Sequence, residues 1–199
     1  MSFNFDLGAR DGKAGAAETP DRLAERLSFE SRFVLVFGEI DHAMAKRTCE
    51  RLIALAQTSD GPISVLISSP GGHVESGDAI HDVIKFVRAP VTTIGTGWVA
   101  SAGTHIYLAA EKSRRVCLPN TRFMIHQPGG GAGGPATDIA IQAREILRTR
   151  ERIARVIADA TGKPLEKVMA DMERDYWMSA EEAIGYGIVS RVIRRQSEL

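Results

Sequence analysis

The sequence predicts an α/β domain: a mainly parallel β-sheet covered by helices. Two observations carry that prediction. Short apolar runs alternate with segments of helical periodicity through the first half of the chain, and a strand, helix, strand, helix rhythm implies right-handed crossovers between parallel strands. The composition, 44% apolar and 25% charged over 199 residues, fits a single globular domain with a core of its own and no internal repeat.

The elements follow in order. The opening stretch MSFNFDLGARDGKAGAAETP is rich in Gly and Ala and has no period, so residues 1–25 are expected to form a flexible arm ahead of one domain spanning 26–199. FVLVFGEI (33–40) reads as a strand. DHAMAKRTCERLIALAQ reads as a helix, with Asp41 as N-cap and an apolar stripe through Ala45, Cys49, Leu52, Ile53 and Ala56. ISVLIS (63–68) is the next strand, SPGG a turn, and the helix after it has Ile80, Val83, Ile84 and Val87 inward before Pro90 stops it. VTTIGTG (91–97) is a third strand. RRVCLP and TRFMIHQ are short strands, and PGGGAGGP (128–135) has too few side chains to hold a core, so it reads as an extended loop. Thr137 is expected to cap a helix reaching about Thr161, with Ile139, Ala143, Ile146, Ile153 and Ile157 on one side and the pair Glu151/Arg155 on the other. Gly162 and Pro164 end it. Such a helix, introduced by a glycine loop, reads either as a projection between subunits or as a surface helix of a monomer.

Charge and cysteine usage exclude several classes. Lys and Arg total 25 against 25 Asp and Glu, which argues against a nucleic-acid or membrane-surface partner, since both demand a basic face. Cys49 and Cys117 have no companions at metal-ligand spacing and read as buried free thiols of a reducing compartment. The N-terminus has no cationic start followed by an apolar stretch, and no run approaches the ~18 apolar residues of a membrane span. A cytoplasmic location is expected.

Chemistry centres on GTGWVASAGTHIYLAA (95–110), where Ser101 sits among small residues at a strand-to-helix junction. It is either a satisfied core hydroxyl or a nucleophile, and a nucleophile needs a base, a group that orients the base, and N–H donors for the oxyanion. Donors are available at Gly72, in the two-glycine turn of SSPGGH, and at Ala102, whose N–H in a first helical turn lacks an intrahelical partner. The bases on offer are His42, His73, His81, His105 and His126. His105 lies one turn beyond Ser101 in a helix that reads as buried, His42 and His81 read as helix-face residues, and His73 follows the glycine turn. His126, in MIHQP, closes a strand beside a loop. Asp175, in ERDYWMSAEEA, reads as a buried charge between a helix and an aromatic pair. The residues alone leave the assignment open.

Five segments, SSPGG, GWVASAG, CLPNTRFMIHQP, ATDIAIQAREIL and ERDYWMSAEEAIGYGIV, resemble in this order the motifs of the ClpP family, the proteolytic subunits of the Clp protease, from about Arg26 to Ile193. The resemblance implies the crotonase-like ClpP fold and a serine endopeptidase with Ser101 as nucleophile, His126 as base, Asp175 as its orienting acid, and Gly72 and Ala102 as oxyanion donors. It implies no metal or organic cofactor. It also implies self-assembly into two stacked heptameric rings, a tetradecamer, with residues 128–161 as the inter-ring handle. Unfolded proteins or peptides would be the substrates, and a Clp-family AAA+ ATPase or a ClpP paralogue the partner; nucleic acid and membrane are not implied. Two alternatives remain, a ClpP-like peptidase that works without an ATPase and a largely structural ring subunit. A crotonase-type acyl-CoA hydratase would not need the Ser, His, Asp trio. The chain departs from the family pattern at Ala102, where most members have methionine, and at Trp98. Ser64 and Leu66 stand where aromatic side chains usually face a neighbouring subunit. The polyglycine lacks the bulkier residues common there, and the N-terminus lacks the usual axial-loop pattern.

Overall fold

A computed structural model describes residues 19–131 and 133–199. The chain enters through α1 (Pro20–Glu30), where the Thr19 side chain accepts a hydrogen bond from the Arg22 N–H. The expected arm therefore ends earlier than residue 25; its residues 1–18 lie outside the described residues. The Gly/Ala-rich composition masks a start signal in TPDR: a capping threonine, a proline in the first turn and an acidic residue after it.

Then follow β1 (Phe33–Phe37), α2 (His42–Thr58), β2 (Ile63–Ser69), α3 (Val74–Phe86) and β3 (Val91–Ala100). The second half contains α4 (Ala102–Tyr107), β4 (Arg115–Cys117), β5 (Arg122–Ile125), α5 (Ala136–Thr161), α6 (Leu165–Asp171), β6 (Tyr176–Met178), α7 (Ala180–Tyr186) and β7 (Arg191–Val192). The parallel sheet runs β1-β2-β3-β4-β7, with β5 parallel to the end of β3 and β6 antiparallel to β5. Val34, Val36, Ile63, Val65 and Ile67 are buried, as expected of parallel strands covered by helices.

Strand β3 serves two partners in turn. Thr93, Ile94 and Gly95 pair with β4, whereas Trp98, Val99 and Ala100 pair with β5. The change falls at Gly97, whose φ of 58° is open to glycine, and the β2 register shifts between Ile67 and Ser69 at the same level. The sheet thus opens at the carboxyl end of its central strand, where ligands of α/β sheets bind.

Two helical faces differ from expectation. Helix α2 keeps its Asp41 cap, which accepts from the Met44 N–H at 2.7 Å, but buries Thr48 and Leu55 together with Ala45, Leu52 and Ala56. Ile53 is exposed and Cys49 half-buried, because the stripe runs through Thr48, a residue that hydropathy alone ranks as polar. In α5 the capping position is Pro135, not Thr137: the helix starts two residues earlier, after a proline of fixed φ, and Asp138 supplies the acidic first turn. Gly162, at φ 76°, ends it by donating its N–H to Ala158 O. Only the last part of α5 docks on the domain, through Ala154, Ile157, Ala158 and Thr161, while Ile139, Ile141 and Leu147 are exposed. Among the described residues no helix is long and apolar enough to cross a membrane.

Candidate active site

Ser101 follows directly on β3 and precedes α4, with φ 55° and ψ −122°. A positive φ in a residue with a side chain costs about 1–3 kcal/mol and persists only when the surroundings impose it. Here they do. The Ser101 N–H donates to Met124 O at 2.9 Å, and Thr104 Oγ1 donates to both Val99 O and Met124 O at 2.7 and 2.8 Å, tying the ends of β3 and β5 together. Across from Ser101, a Cβ on Gly71 would stand 2.6 Å from the serine Cβ. Gly77 meets Ala102 and Gly103 meets Ser69 almost as closely, at 3.2 Å each for an added Cβ. The small residues around Ser101 let the end of β2, the start of α3 and α4 meet nearly backbone to backbone.

His126 follows β5 immediately, and the antiparallel register Ile125↔Tyr176 sets it beside Asp175, which precedes β6. Its Nε2 lies 2.8 Å from Ser101 Oγ and its Nδ1 3.0 Å from Asp175 Oδ1. A carboxylate only accepts, so Nδ1–H donates to Asp175 and Nε2 of the neutral ring accepts the Ser101 hydroxyl proton. The segment after His126 is anchored as well: the Gln127 N–H donates to Met172 O and its side-chain amide to Glu173 O. Asp175 is not the buried charge the sequence suggested. Its side chain is 62% exposed, because β6 is an edge strand outside the main sheet path.

The glycine turn presents its donors unequally. The Gly71 N–H is taken by Ser69 Oγ at 3.0 Å and the His73 N–H by Ile40 O at 2.8 Å, while the Gly72 N–H has no partner among the described residues. Gly72 has φ 151° and approaches Ile40 so closely that a Cβ would fall 2.3 Å from Ile40 O. Ala102 opens α4, whose first bond is His105 N–H to Ser101 O, so its own N–H precedes the intrahelical ladder.

The other histidines have different employment. His73 caps α3, its Nδ1 accepting from the Ser76 N–H, and its ring lies 4.3 Å from that of His42. His81, expected on a helix face, is buried: its ring stacks on His105 at 4.3 Å and Nδ1–H donates to His105 O at 2.8 Å. Burial, reinforced by the charge of His105, pushes the His81 imidazole down to about 4. His105 Nε2 sits 2.9 Å from Asp78 Oδ1, and Arg152 of α5 grips the same carboxylate with two hydrogen bonds of 2.8 and 2.7 Å. Burial alone would raise the Asp78 carboxyl; the hydrogen bonds from His105 and Arg152, with their charges, outweigh it and hold it well below the usual carboxylate range. No sequence signal links Asp78 to Arg152, which are 74 residues apart.

Beside Ser101 opens a pocket whose walls include Val74, Ala102, Ile125, His126, Ile153 and Ile157, with His105 also lining it. Among the described residues no group of three or more His, Cys, Asp or Glu side chains is placed to hold a metal ion. The arrangement can activate a hydroxyl through a histidine and offer backbone donors next to it.

Comparison with known proteins agrees with this chemistry. The family model for the Clp protease matches residues 16–196. The chain is 55% identical over 171 residues to the "ATP-dependent Clp protease proteolytic subunit 3" of Rhizobium etli, covering 86% of this chain and 88% of that one. It is 50% identical over 187 residues to the "ATP-dependent Clp protease proteolytic subunit" of Paracoccus denitrificans, covering 94% of each. The solved structure of ClpP1 from Listeria monocytogenes superposes with a TM-score of 0.80 at 48% identity, covering 89% of this chain and 99% of that one. A parallel sheet opening at a serine, together with relatives matched over nearly their whole length, identifies this chain as a member of the Clp protease family, a proteolytic subunit of the serine endopeptidase type.

Proposed function

We propose that Ser101, His126 and Asp175 hydrolyse peptide bonds as a catalytic triad, the reading carried by the continuous hydrogen-bonded chain from Ser101 Oγ through His126 to Asp175. Asp175 holds the imidazole in the tautomer whose Nε2 accepts the serine proton. Ser101 Oγ attacks the carbonyl carbon, His126 then delivers that proton to the leaving amine, and water hydrolyses the acyl-enzyme with His126 again as base. The Gly72 and Ala102 N–H groups would bind the oxyanion, each such donor contributing about 10²–10³-fold to kcat. An extended substrate would lie as an added strand beside the Gly72–His73 backbone, a mode that binds through main-chain groups and tolerates varied sequences. No step calls for a metal or an organic cofactor. Treating the purified protein with a fluorophosphonate and mapping the adduct tests this: Ser101 alone should be labelled, and modification of another serine with Ser101 untouched would overturn the assignment.

The assembly proposed is a pair of stacked heptameric rings of this chain, residues 128–161 joining the two, in the cytoplasm. Its support is the exposed apolar side chains around the outer part of α5, where Ile139, Ile141 and Leu147 find no cover within one subunit. A variant lacking residues 129–134 is expected to sediment as single rings or smaller species with weak peptidase activity. Sedimentation equal to the parent's would remove this segment from the inter-ring contact.

The proposed partner is a Clp-family AAA+ ATPase, which would deliver unfolded protein to the chamber. Supporting this reading, Leu35 and Leu66 pair across the register of β1 and β2 on the less buried face, and Phe86 is 81% exposed, so apolar area is available for docking. Ser64 on that face lacks apolar area, and a missing aromatic anchor typically costs ~2 kcal/mol or more per site. Because several clefts engage at once, the losses compound through avidity. The protein is therefore expected to cut short peptides unaided yet to couple poorly to a generic Clp ATPase, and to need a dedicated ATPase or a ClpP paralogue that completes the clefts. ATP-dependent degradation of a tagged folded substrate should rise in the Ser64→Tyr, Leu66→Tyr double variant. Full activity in the parent with no gain in the variant would sink the idea.

A further inference from the structure

We propose that Asp78 and Arg152, joined by His105, are positioning residues that set the size limit of the pocket beside Ser101: by clamping α5 against α3 and α4 they restrict it to compact aliphatic side chains on the acyl side of the cut bond. The inference rests on the peptidase reading of Ser101 and deepens it.

Three helices wall the pocket, and each carries one member of the clamp next to its wall residue. Val74 and Asp78 lie one turn apart on α3, Ala102 and His105 one turn apart on α4, and Arg152 directly precedes Ile153 on α5. Their side chains meet on a single carboxylate. His105 Nε2 lies 2.9 Å from one Asp78 oxygen, and the Arg152 guanidinium donates to both oxygens at 2.8 and 2.7 Å. An ionised carboxylate only accepts, so His105 directs an Nε2–H at it whether the ring is neutral or charged. Burial opposes ionisation of Asp78, but these bonds outweigh it and hold its carboxyl well below the usual carboxylate range. Two parallel bonds from a planar guanidinium fix orientation as well as distance. His81 covers one face of the His105 ring at 4.3 Å and donates to the His105 carbonyl oxygen.

The clamp matters because the pocket is tight. The free space inside it is only about 30 Å³, enough for about two water molecules. An aliphatic side chain needs a small adjustment there, whereas an indole must push a wall aside. The walls differ in how far they can yield. At Gly77 an added Cβ would stand 3.2 Å from the Ala102 Cβ, so α3 and α4 already meet nearly backbone to backbone, and Ile125 belongs to the sheet. Among the described residues of α5, none ahead of Ala154 is fully buried, so the Ile153 wall is held in place by polar ties. Arg150 makes one, to Glu173 beyond α6, and Arg152 makes the one that crosses the pocket to α3. Ala102, whose N–H would hold the scissile carbonyl, is also a wall of this pocket, so the side chain that enters belongs to the residue carrying that carbonyl.

Two fluorogenic peptide amides test this, identical except for leucine or tryptophan on the acyl side of the cut bond. The parent should cleave the leucine peptide with a kcat/KM at least about tenfold above the tryptophan peptide. In Arg152→Gln that ratio should fall about tenfold, chiefly through a lower KM for the tryptophan peptide, and Arg152→Lys, which keeps the charge but not the fork, should fall between the two. Labelling of Ser101 by a small fluorophosphonate should proceed at the parental rate in both variants, since β3, β5 and β6 hold the triad. A role confined to stability would lower both peptides and the labelling together and leave the ratio unchanged; an unchanged ratio in Arg152→Gln therefore overturns the clamp. If Arg152→Gln does not fold, the same ratio in Arg152→Lys decides. Equal cleavage of the two peptides by a parent that labels at Ser101 would overturn the size limit and leave the peptidase reading intact. A parent with neither labelling nor cleavage would overturn both readings.

Discussion

Replacing Ser101 or His126 with alanine is expected to lower peptide hydrolysis by ~10⁴-fold or more, each alone nearly as much as both together, because the members of a triad act as a unit. The effect is confined to chemistry. Ser101 contacts the fold chiefly through its backbone, whose N–H bond to Met124 O survives loss of the hydroxyl, and an alanine at φ 55° meets the same strain as the serine. His126 is partly exposed at the end of an outer strand, so its removal opens no core cavity. Native mass and thermal unfolding should therefore match the parent in both variants. Asp175→Asn should be milder than either, since the exposed carboxylate orients the ring but takes no part in bond making. Hydrolysis of a fluorogenic peptide under single-turnover conditions, with mass measured on the same samples, checks all three. Parental activity in Ser101→Ala would end the nucleophile assignment.

The second large effect is expected from a residue without a side chain. Gly71 has φ 102°, and a Cβ there would lie 2.6 Å from Ser101 Cβ, 3.0 Å from Ser101 Oγ and 3.1 Å from Ala100 O. None of these is the free end of a flexible chain, so the Gly71→Ala variant must move either the serine or the turn that holds the Gly72 N–H. A displacement of about 1 Å in a reacting group costs on the order of 10²-fold, and loss of an oxyanion donor a similar factor, so kcat should fall by about 10²–10⁴. Fluorophosphonate labelling of Ser101 should slow in parallel. Gly162→Ala is the matched control: its φ of 76° is equally unfavourable, but nothing lies within 4 Å of the added Cβ. That variant should lose about 1 kcal/mol of stability and keep its kcat. If Gly71→Ala turns over at the parental rate, close approach of the turn to Ser101 is not what organises the site.

The two variants also separate what was readable in the chain from what was not. Strand and helix order followed from local periodicity, and the capping of α2 by Asp41 and the end of α5 at Gly162 followed from short-range stereochemistry. Gly72 could be picked as a donor because two glycines after a strand leave the backbone free to approach a ligand. Composition hid the first turns of α1, and hydropathy misplaced the inner face of α2 by missing Thr48. These are errors of local bookkeeping that a residue-by-residue scale makes where a threonine is buried or a helix start lies in a small-residue stretch.

The proposed trio of Ser101, His126 and Asp175 belongs to another level. Five histidines were equivalent as titratable groups, and only the resemblance of the motifs around them singled out His126; what sets His126 against Ser101 physically is the pairing of Trp98, Val99 and Ala100 with Arg122, Phe123 and Met124, which brings residues 25 apart within 2.8 Å. The pairing of β5 with β6 does the same for Asp175, 49 residues from His126, on an edge where a charge stays in solvent rather than in the core. His105 reverses the lesson, having looked like a core residue and proving to be one whose burial, held through Asp78 and Arg152, leaves one nitrogen unpaired. The sequence by itself determined the order of the elements, the position of the serine at a strand-to-helix junction and the glycines that crowd it, because those depend on backbone preferences of a few adjacent residues. Which histidine meets the serine, which carboxylate orients it and which buried ring lines the pocket were decided by tertiary structure alone, since strand register and helix docking couple residues whose separation along the chain leaves no local trace.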